Sequence, residues 1–281
     1  MPNYPKVTVI GVGLIGGSIG LALKERGLAA EVTGVGRRQA SLDRALQRGA
    51  VGSATTELAA GVENASVVVV ATPVASVVDD VCRVLETASP NALVTDVGST
   101  KASICASISA NAGAVANFIG SHPLAGDHRS GPEHARGDLF EGKVVVVTPT
   151  PATPASIVEQ AAGFWESLGA RVVQLSPEQH DQALATTSHL PHLVASALAS
   201  STPTEWLPLA ASGWADTTRV AAADPELWTQ IFAQNTPDVV AALDRLIEKL
   251  QTARAGLLAE DPSPIKEILE HGKRTRDALG N

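Results

Sequence analysis

The sequence has little cysteine and few aromatic side chains. Its 281 residues include two cysteines, Cys82 and Cys105, whose spacing fits no metal or redox motif. Two thiols cannot build a disulfide framework or a cysteine-ligated zinc site. We therefore expect both to pack as small side chains in a reducing compartment, and we expect no bound metal. Aromatic residues make up 3% of the chain, too few for the stacking platforms that bind single-stranded nucleic acids.

Positive charge and long apolar runs are also scarce. Lys and Arg number 21 against 29 Asp and Glu, a formal net charge of −8, whereas a nucleic-acid binder needs a basic face. No apolar run reaches the roughly 18 residues of a membrane span, and the first residues lack a basic-then-apolar signal region. We expect a soluble cytoplasmic protein that binds a small molecule and neither nucleic acid nor membrane.

The first part of the chain alternates short β-branched runs with helical stretches. Strands are predicted at 7–10, 32–35, 67–71, 93–95, 117–119, 143–148 and 171–175, and helices at 14–26, 41–48, 74–85 and 101–110. Nearly continuous apolar strands are typical of a parallel sheet covered by helices on both faces. The pattern predicts an α/β fold with a Rossmann-like doubly wound sheet over residues 1–176.

The pattern changes after residue 176. No convincing strand follows, and helical stretches are predicted at 177–200, 203–211, 225–251 and 264–278, mostly with a proline suited to the first turn. This predicts a C-terminal all-helical domain over residues 177–281. Because it is rich in alanine and poor in charge, we expect it to bury surface against a second subunit in a homodimer.

A glycine-rich turn follows the first predicted strand. In the GVGLIG segment, Gly11 suits the tight turn, Gly13 lets the backbone approach a pyrophosphate, and Gly16 permits close helix–strand packing. The pyrophosphate would meet backbone N–H groups at the start of the helix, where Leu14 and Ile15 lie. The segment predicts a dinucleotide site.

The end of the second predicted strand bears on which dinucleotide binds. An NAD site usually has Asp or Glu there to hold the ribose 2′-hydroxyl, but this chain has Gly36, Arg37 and Arg38. A guanidinium fork suits a 2′-phosphate. We therefore expect NADP to be preferred, with NAD possible; the alternative is that both arginines are merely solvated.

Three polar clusters have no explanation in packing alone. They are DVGSTK at 96–101, GSHPLAG at 120–126, and SHLPH at 188–192 with DTTR at 216–219. The first lies at the end of the fourth predicted strand and the second follows a later one, at the edge where such sheets bind ligands. Together with GVGLIGGS at 11–18, the clusters resemble the prephenate/arogenate dehydrogenase family, the TyrA-type enzymes, over residues 7 to about 234.

The resemblance implies an oxidative decarboxylation in tyrosine biosynthesis. A cyclohexadienol would lose hydride from C4 to the nicotinamide, its hydroxyl proton to a base, and its ring carboxylate as carbon dioxide. His122 matches the family's catalytic histidine, and an imidazole with an unperturbed pKa of about 6.5 suits that proton transfer. Ser99 matches the serine near the substrate hydroxyl and the cofactor, although it could also cap a helix. Thr72 and Pro73 are expected to line the nicotinamide side.

The remaining matches concern the substrate. Arg219 matches the arginine that grips the substrate carboxylate through two parallel bonds. The resemblance points to His192 as a substrate contact and leaves His189 structural, while Asp181 and Asp216 are expected to anchor backbone or Arg219. Lys101 is expected to be a surface or structural residue.

The sequence departs from the family pattern after GSHPLAG. Members often have Thr-Glu where this chain has Asp127 and His128. Asp127 could favour the amino group of arogenate, whereas His192 suits the keto acid of prephenate. We take prephenate as the expected substrate and keep arogenate as the alternative.

Two other classes share a Rossmann-type first domain. A β-hydroxyacid dehydrogenase needs a catalytic lysine in the helical half, where this chain has Lys249, Lys266 and Lys273, all away from any motif; an imine reductase is a related alternative. A noncatalytic nucleotide sensor would have no need for His122 together with Arg219.

Overall fold

Eight strands form one mixed sheet in a computed structural model that describes residues 3–112, 116–126, 129 and 131–280. The strands are β1 (Tyr4–Ile10), β2 (Ala29–Val35), β3 (Ser53–Thr55), β4 (Val67–Val70), β5 (Leu93–Asp96), β6 (Phe118–Pro123), β7 (Val144–Thr148) and β8 (Arg171–Gln174). Their order in the sheet is β3-β2-β1-β4-β5-β6-β7-β8. β6 and β7 pair antiparallel, and every other described pair is parallel.

Helices cover both faces of this sheet. They are α1 (Leu14–Glu25), α2 (Gln39–Gln47), α3 (Leu58–Val62), α4 (Val77–Thr87), α5 (Ala102–Ala112) and α6 (Ala155–Ser167). β4 shows the consequence: Val67 and Val69 belong to one buried core, and Val68 and Val70 to the other. Each such side chain contributes about 1.5–3 kcal/mol when it leaves water, which explains a strand that is apolar at every position.

The predicted Rossmann-like doubly wound fold is confirmed, with corrections. The sheet is mixed rather than all parallel, and β3, α3 and α6 were not predicted. The strand order reverses between β1 and β4, so their carboxyl ends diverge there and leave a crevice in which ligands of such sheets bind.

The rest of the chain is helical among the described residues. It contains α7 (Pro177–Leu184), α8 (Leu190–Ser201), α9 (Ser212–Thr218), α10 (Pro225–Gln234), α11 (Thr236–Leu258) and α12 (Ser263–Ala278). A π-helical turn, Ala185–His189, joins α7 to α8. α7 begins with a capping box in which Ser176 and Gln179 exchange hydrogen bonds with each other's backbone N–H.

Two helix predictions need correction. The stretch 203–211 is a 3₁₀ segment, Thr204–Leu209, that contains Pro208. The stretch 225–251 is two helices broken at Asn235, whose φ and ψ are −124° and 31°. The break has a local cause, because Pro237 lacks an N–H and its ring would clash with the carbonyl of Ala233.

No helix in the described part of the chain combines the length and apolar character that crossing a bilayer requires.

Candidate active site

The glycine-rich turn lies at the crevice between β1 and β4. Gly11 has φ +90°, and a Cβ there would stand 2.5 Å from the Ala71 carbonyl oxygen. A Cβ on Gly16 would stand 2.1 Å from the carbonyl oxygen of Gly11. Both positions therefore exclude any side chain. A Cβ on Gly13, by contrast, would meet nothing within 4 Å, which leaves room for a ligand beside the first turn of α1, where Leu14 and Ile15 are half-buried.

A buried polar atom lies across the same crevice. The Thr72 Oγ1 has no hydrogen-bond partner among the described residues, although buried hydroxyls are almost always paired. Pro73, next to it, is exposed. An orphaned hydroxyl and the open space at Gly13 are what a dinucleotide site needs, so these residues fit a bound nicotinamide cofactor.

The predicted selectivity residues lie at the carboxyl end of β2. Gly36 follows the strand, and Arg37 and Arg38 are exposed immediately before α2. No carboxylate is present at these three positions. Two guanidinium groups and the start of a helix therefore face solvent where the adenosine ribose lies in this fold.

His122 lies within β6, not in a loop after it, and pairs with Val146 of β7. Strand geometry therefore fixes its backbone. The ring is half-buried, and its Nδ1 lies 2.8 Å from the Nε2 of His180 on α7. Burial lowers the pKa of His122 well below its usual range, and the neighbouring His180, Lys101 and His189 lower it further. The imidazole is therefore neutral at physiological pH.

A buried ion pair supports the strand beside His122. Lys101 is completely buried, rather than on the surface, and its Nζ donates to Asp96 Oδ2 at the end of β5. The other oxygen of Asp96 accepts a hydrogen bond of 3.2 Å from the backbone N–H of Ser121. The pair thus ties the loop after β5 to the residue that precedes His122. Ser99 is half-buried in that loop.

The start of α5 is capped from another element. Asp181 on α7 accepts hydrogen bonds from the backbone N–H groups of Lys101 and Ala102, at 2.8 and 2.9 Å. Asp181 therefore anchors backbone, as expected, and carries out the capping that Ser99 could have provided. This contact also joins the helical half to the nucleotide-binding half.

The other histidines extend from His122 toward Arg219. His189 is buried, and its Nδ1 lies 3.1 Å from the Nδ2 of Asn235. Burial lowers the pKa of His189 to about 4. The His192 ring stacks on Trp228 with centroids 3.6 Å apart.

His192 is also close to Arg219. Burial lowers the pKa of His192 and the Arg219 charge lowers it further, while a hydrogen bond to the backbone of Val220 raises it. Arg219 itself is exposed. His189 acts electrostatically on His122, His192 acts on His189, and Arg219 acts on His192. The four side chains therefore form one series of neighbours.

Three residues in this region were not predicted: His180, Trp228 and Asn235. The adjacent His180 and Asp181 in a capped helix could have signalled an Asp–His pair, but nothing local places them beside β6. Asp127 lies outside the described residues.

Two family models match the chain in tandem. The prephenate dehydrogenase nucleotide-binding domain matches residues 19–174, and the prephenate dehydrogenase dimerization domain matches residues 176–271. The chain belongs to the prephenate dehydrogenase family. The resemblance of the sequence motifs to that family is thereby confirmed.

Relatives and solved structures in this family align over nearly all of the chain. A prephenate dehydrogenase of Bacillus subtilis is 32% identical, covering 99% of this chain and 77% of the relative. The prephenate dehydrogenase of Aquifex aeolicus, solved with hydroxyphenyl propionate and NAD+, superposes with a TM-score of 0.90 at 30% identity and covers 98% of each chain. An arogenate dehydrogenase of Synechocystis gives a TM-score of 0.85 at 30% identity, covering 98% of this chain and 99% of the other.

Proposed function

We propose that the protein catalyses the oxidative decarboxylation of prephenate to 4-hydroxyphenylpyruvate, with hydride transfer to a nicotinamide dinucleotide, in tyrosine biosynthesis. The observation that carries this proposal is a half-buried neutral imidazole, His122, in the sheet that contains the dinucleotide crevice. It is linked through His189 and His192 to the charge of Arg219. Arogenate, which would give tyrosine directly, is the alternative substrate, and the Synechocystis relative supports it.

The residues around the crevice bind and orient. Backbone N–H groups from Gly13 to Gly16 hold the pyrophosphate at the start of α1, and Thr72 with Pro73 lines the nicotinamide side. The bound cofactor supplies a hydride acceptor. Arg219 grips the substrate carboxylate, His192 contacts the side chain of the substrate, and Ser99 lies near its hydroxyl and the cofactor.

His122 carries the proton transfer. As C4 loses hydride, the hydroxyl proton moves to His122 and the C4–O bond becomes a carbonyl. Loss of carbon dioxide then gives a phenolate, to which His122 returns the proton. Aromatisation supplies most of the driving force, so the protein has to align the substrate and move one proton, a contribution of about 10²–10⁴-fold for a positioned base.

The finer assignments are also proposals. NADP is the preferred cofactor because Arg37 and Arg38 can bind a 2′-phosphate and Gly36 offers no carboxylate to a bare hydroxyl; NAD, present in the Aquifex relative, is the second candidate. Residues 1–176 bind the dinucleotide. Residues 177–281 supply substrate contacts and the surface of a homodimer.

The hydroxyacid dehydrogenase alternative receives no support from the lysines. Lys249, Lys266 and Lys273 are exposed on α11 and α12, and the last two face Glu270 and Asp277 one helical turn away. All three lie outside the polar sequence clusters at 96–101, 120–126, 188–192 and 216–219.

The test measures formation of the reduced nicotinamide with prephenate and with arogenate, each with NADP and with NAD. We expect activity with at least one pair. His122→Asn should lower kcat by about 10²–10⁴-fold, whereas Arg219→Ala should mainly raise KM, by about 10- to 100-fold for lost charge-assisted hydrogen bonds of about 1.5–3 kcal/mol.

The matched control is His271→Gln, which replaces an exposed histidine on α12. Cofactor affinity, measured by calorimetry, should be the same in all three variants and the wild type. If neither substrate is turned over, the proposed function is wrong, and an imine reductase or a noncatalytic nucleotide sensor remains as the alternative. A His122→Asn enzyme with unchanged kcat would remove His122 from the mechanism.

A further inference from the structure

A buried chain of hydrogen bonds runs from His122 into the helical half. The Nδ1 of His122 lies 2.8 Å from the Nε2 of His180, and the Nδ1 of His180 lies 2.7 Å from the Oδ1 of Asp181. His180 is 0% exposed and Asp181 1% exposed. We call His122, His180 and Asp181 the histidine relay.

The hydrogen-bonding capacity of each group assigns the protons in the relay. An ionised carboxylate can only accept, so the Nδ1 of His180 carries a proton that it donates to Asp181. With that one proton on its ring, His180 presents Nε2 to His122 as an acceptor. His122 must then donate through Nδ1, and its Nε2 keeps a free lone pair.

Asp181 is held in place independently of the histidines. Its two oxygens accept the backbone N–H groups of Lys101 and Ala102, so the carboxylate cannot rotate away without leaving those donors unpaired. The relay therefore ends on a fixed negative charge.

Among the described residues, the other titratable groups that act on His122 are Lys101 and His189. From the loop after β5, Lys101 faces the relay, but its ammonium is paired with Asp96 in β5. From the π-helical turn, His189 approaches, but its pKa of about 4 keeps it neutral. Asp181 on α7 is thus the group that can balance a positive charge on either ring.

We propose that His180, oriented by Asp181, is a positioning residue that keeps His122 in the tautomer with a free Nε2 and shares the positive charge when that Nε2 takes the substrate proton. The inference rests on the proposed function. The O–H bond of the substrate breaks and an N–H bond forms at Nε2, while the Nδ1 proton of His122 stays in its hydrogen bond to His180. The carboxylate of Asp181 offsets the burial cost of the resulting imidazolium. The arrangement extends the Asp–His logic of hydrolase triads by one ring.

The kinetic test is a double-mutant cycle with His180→Leu and His122→Asn. His180→Leu should lower kcat by about 10²–10⁴-fold with little change in substrate KM or cofactor affinity. Because His180 acts through His122, the double variant should be no slower than His122→Asn alone. Additive losses, or a His180→Leu enzyme with normal kcat, would overturn the proposal; His271→Gln again serves as control.

A second measurement needs neither substrate nor a variant. Nitrogen-15 NMR of the histidine side chains in the wild-type protein, above the imidazole titration range, should show both His122 and His180 protonated on Nδ1 and bare on Nε2. If an enzyme that turns over substrate has His122 protonated on Nε2, the proposed relay is wrong. A wild type that oxidises neither substrate would defeat the proposed function, and the NMR result would still decide the relay.

Discussion

Burial decides the chemical state of His122. Because its pKa is lowered, the imidazole is neutral across the neutral pH range, and one of its two ring nitrogens is free to accept a proton. The same burial makes it a weaker base than a solvated histidine, since the imidazolium is poorly solvated. His122 can therefore accept a proton throughout the neutral pH range, but its imidazolium form needs stabilisation. In the described part of the chain, the hydrogen bond to His180 provides that stabilisation.

At the same scale, two exposed arginines should set cofactor preference. We predict that Arg37→Asp raises KM for NADP by about 10- to 100-fold, because a lost charge-assisted hydrogen bond costs about 1.5–3 kcal/mol. KM for NAD should change little or fall, since the new carboxylate can accept from a ribose 2′-hydroxyl. Steady-state kinetics with both cofactors measures this.

Arg83→Asp is the matched control for that substitution, because Arg83 is a 63% exposed arginine on α4. It should leave both constants unchanged. Equal increases for NADP and NAD in Arg37→Asp would contradict the assignment of Arg37 to a 2′-phosphate.

Among the elements, the π-helical turn between α7 and α8 determines where His189 lies. It adds a residue to one helical turn, and such turns recur at functional sites. Here it places His189 inward, against Asn235 at the break between α10 and α11. The Nδ2 of Asn235 also donates to the backbone carbonyl of Asp181, at 2.9 Å. One amide therefore ties three helices together behind the relay.

This arrangement predicts an acid-labile fold. The folded-state pKa of His189 is about 4, below its ordinary value of 6.5. Below pH 6.5, His189 therefore binds a proton in the unfolded chain but not in the folded chain. The stability is fully present above that pH and is lost as the pH falls toward 4. At pH 5 the loss from His189 is about 2 kcal/mol, at 1.36 kcal/mol per pKa unit.

Urea unfolding at pH 7 and pH 5 measures that loss. His189→Gln should lose less stability between the two values than the wild type, and the exposed-site variant His271→Gln should lose as much as the wild type. An equal loss in His189→Gln would show that its burial is not the cause.

The sequence predicted these elements unevenly. The glycine turn and the strands β1, β2, β4 and β5 were predictable because each carries its own local pattern of glycines or β-branched residues. β3 has three residues, too short for a pattern, and the antiparallel pairing of β7 depends on contacts that no local signal encodes. His180 was missed because its meaning depends on β6, 58 residues earlier. Lys101 was expected to be a surface or structural residue, and the sequence could not decide between the two because Asp96 compensates its charge only in the folded chain.

For the whole molecule, the distribution of exposed apolar side chains is uneven. Leu250 and Leu257 lie seven residues apart on α11 and are 60% and 68% exposed, and α12 has no buried residue among those described. An exposed apolar face of this kind marks an interaction surface. The match to a dimerization domain over this region supports a second copy of the chain as its partner.

We predict that Leu250→Glu with Leu257→Glu converts a dimer to a monomer, because burying two carboxylates in an apolar interface is strongly unfavourable. Sedimentation velocity at micromolar concentration measures the change. Leu46→Glu, at a 38% exposed leucine on α2, is the control and should stay dimeric. A wild type that sediments as a monomer would refute the dimer.

The contact between Asp181 and the first turn of α5 limits how far the two halves of the molecule can move apart. Parting the two halves at this joint would strand an ionised carboxylate and two backbone donors, each at a cost of about 1–3 kcal/mol or more. We therefore expect any opening between the two halves to leave this contact in place, so that other parts of the molecule move about it.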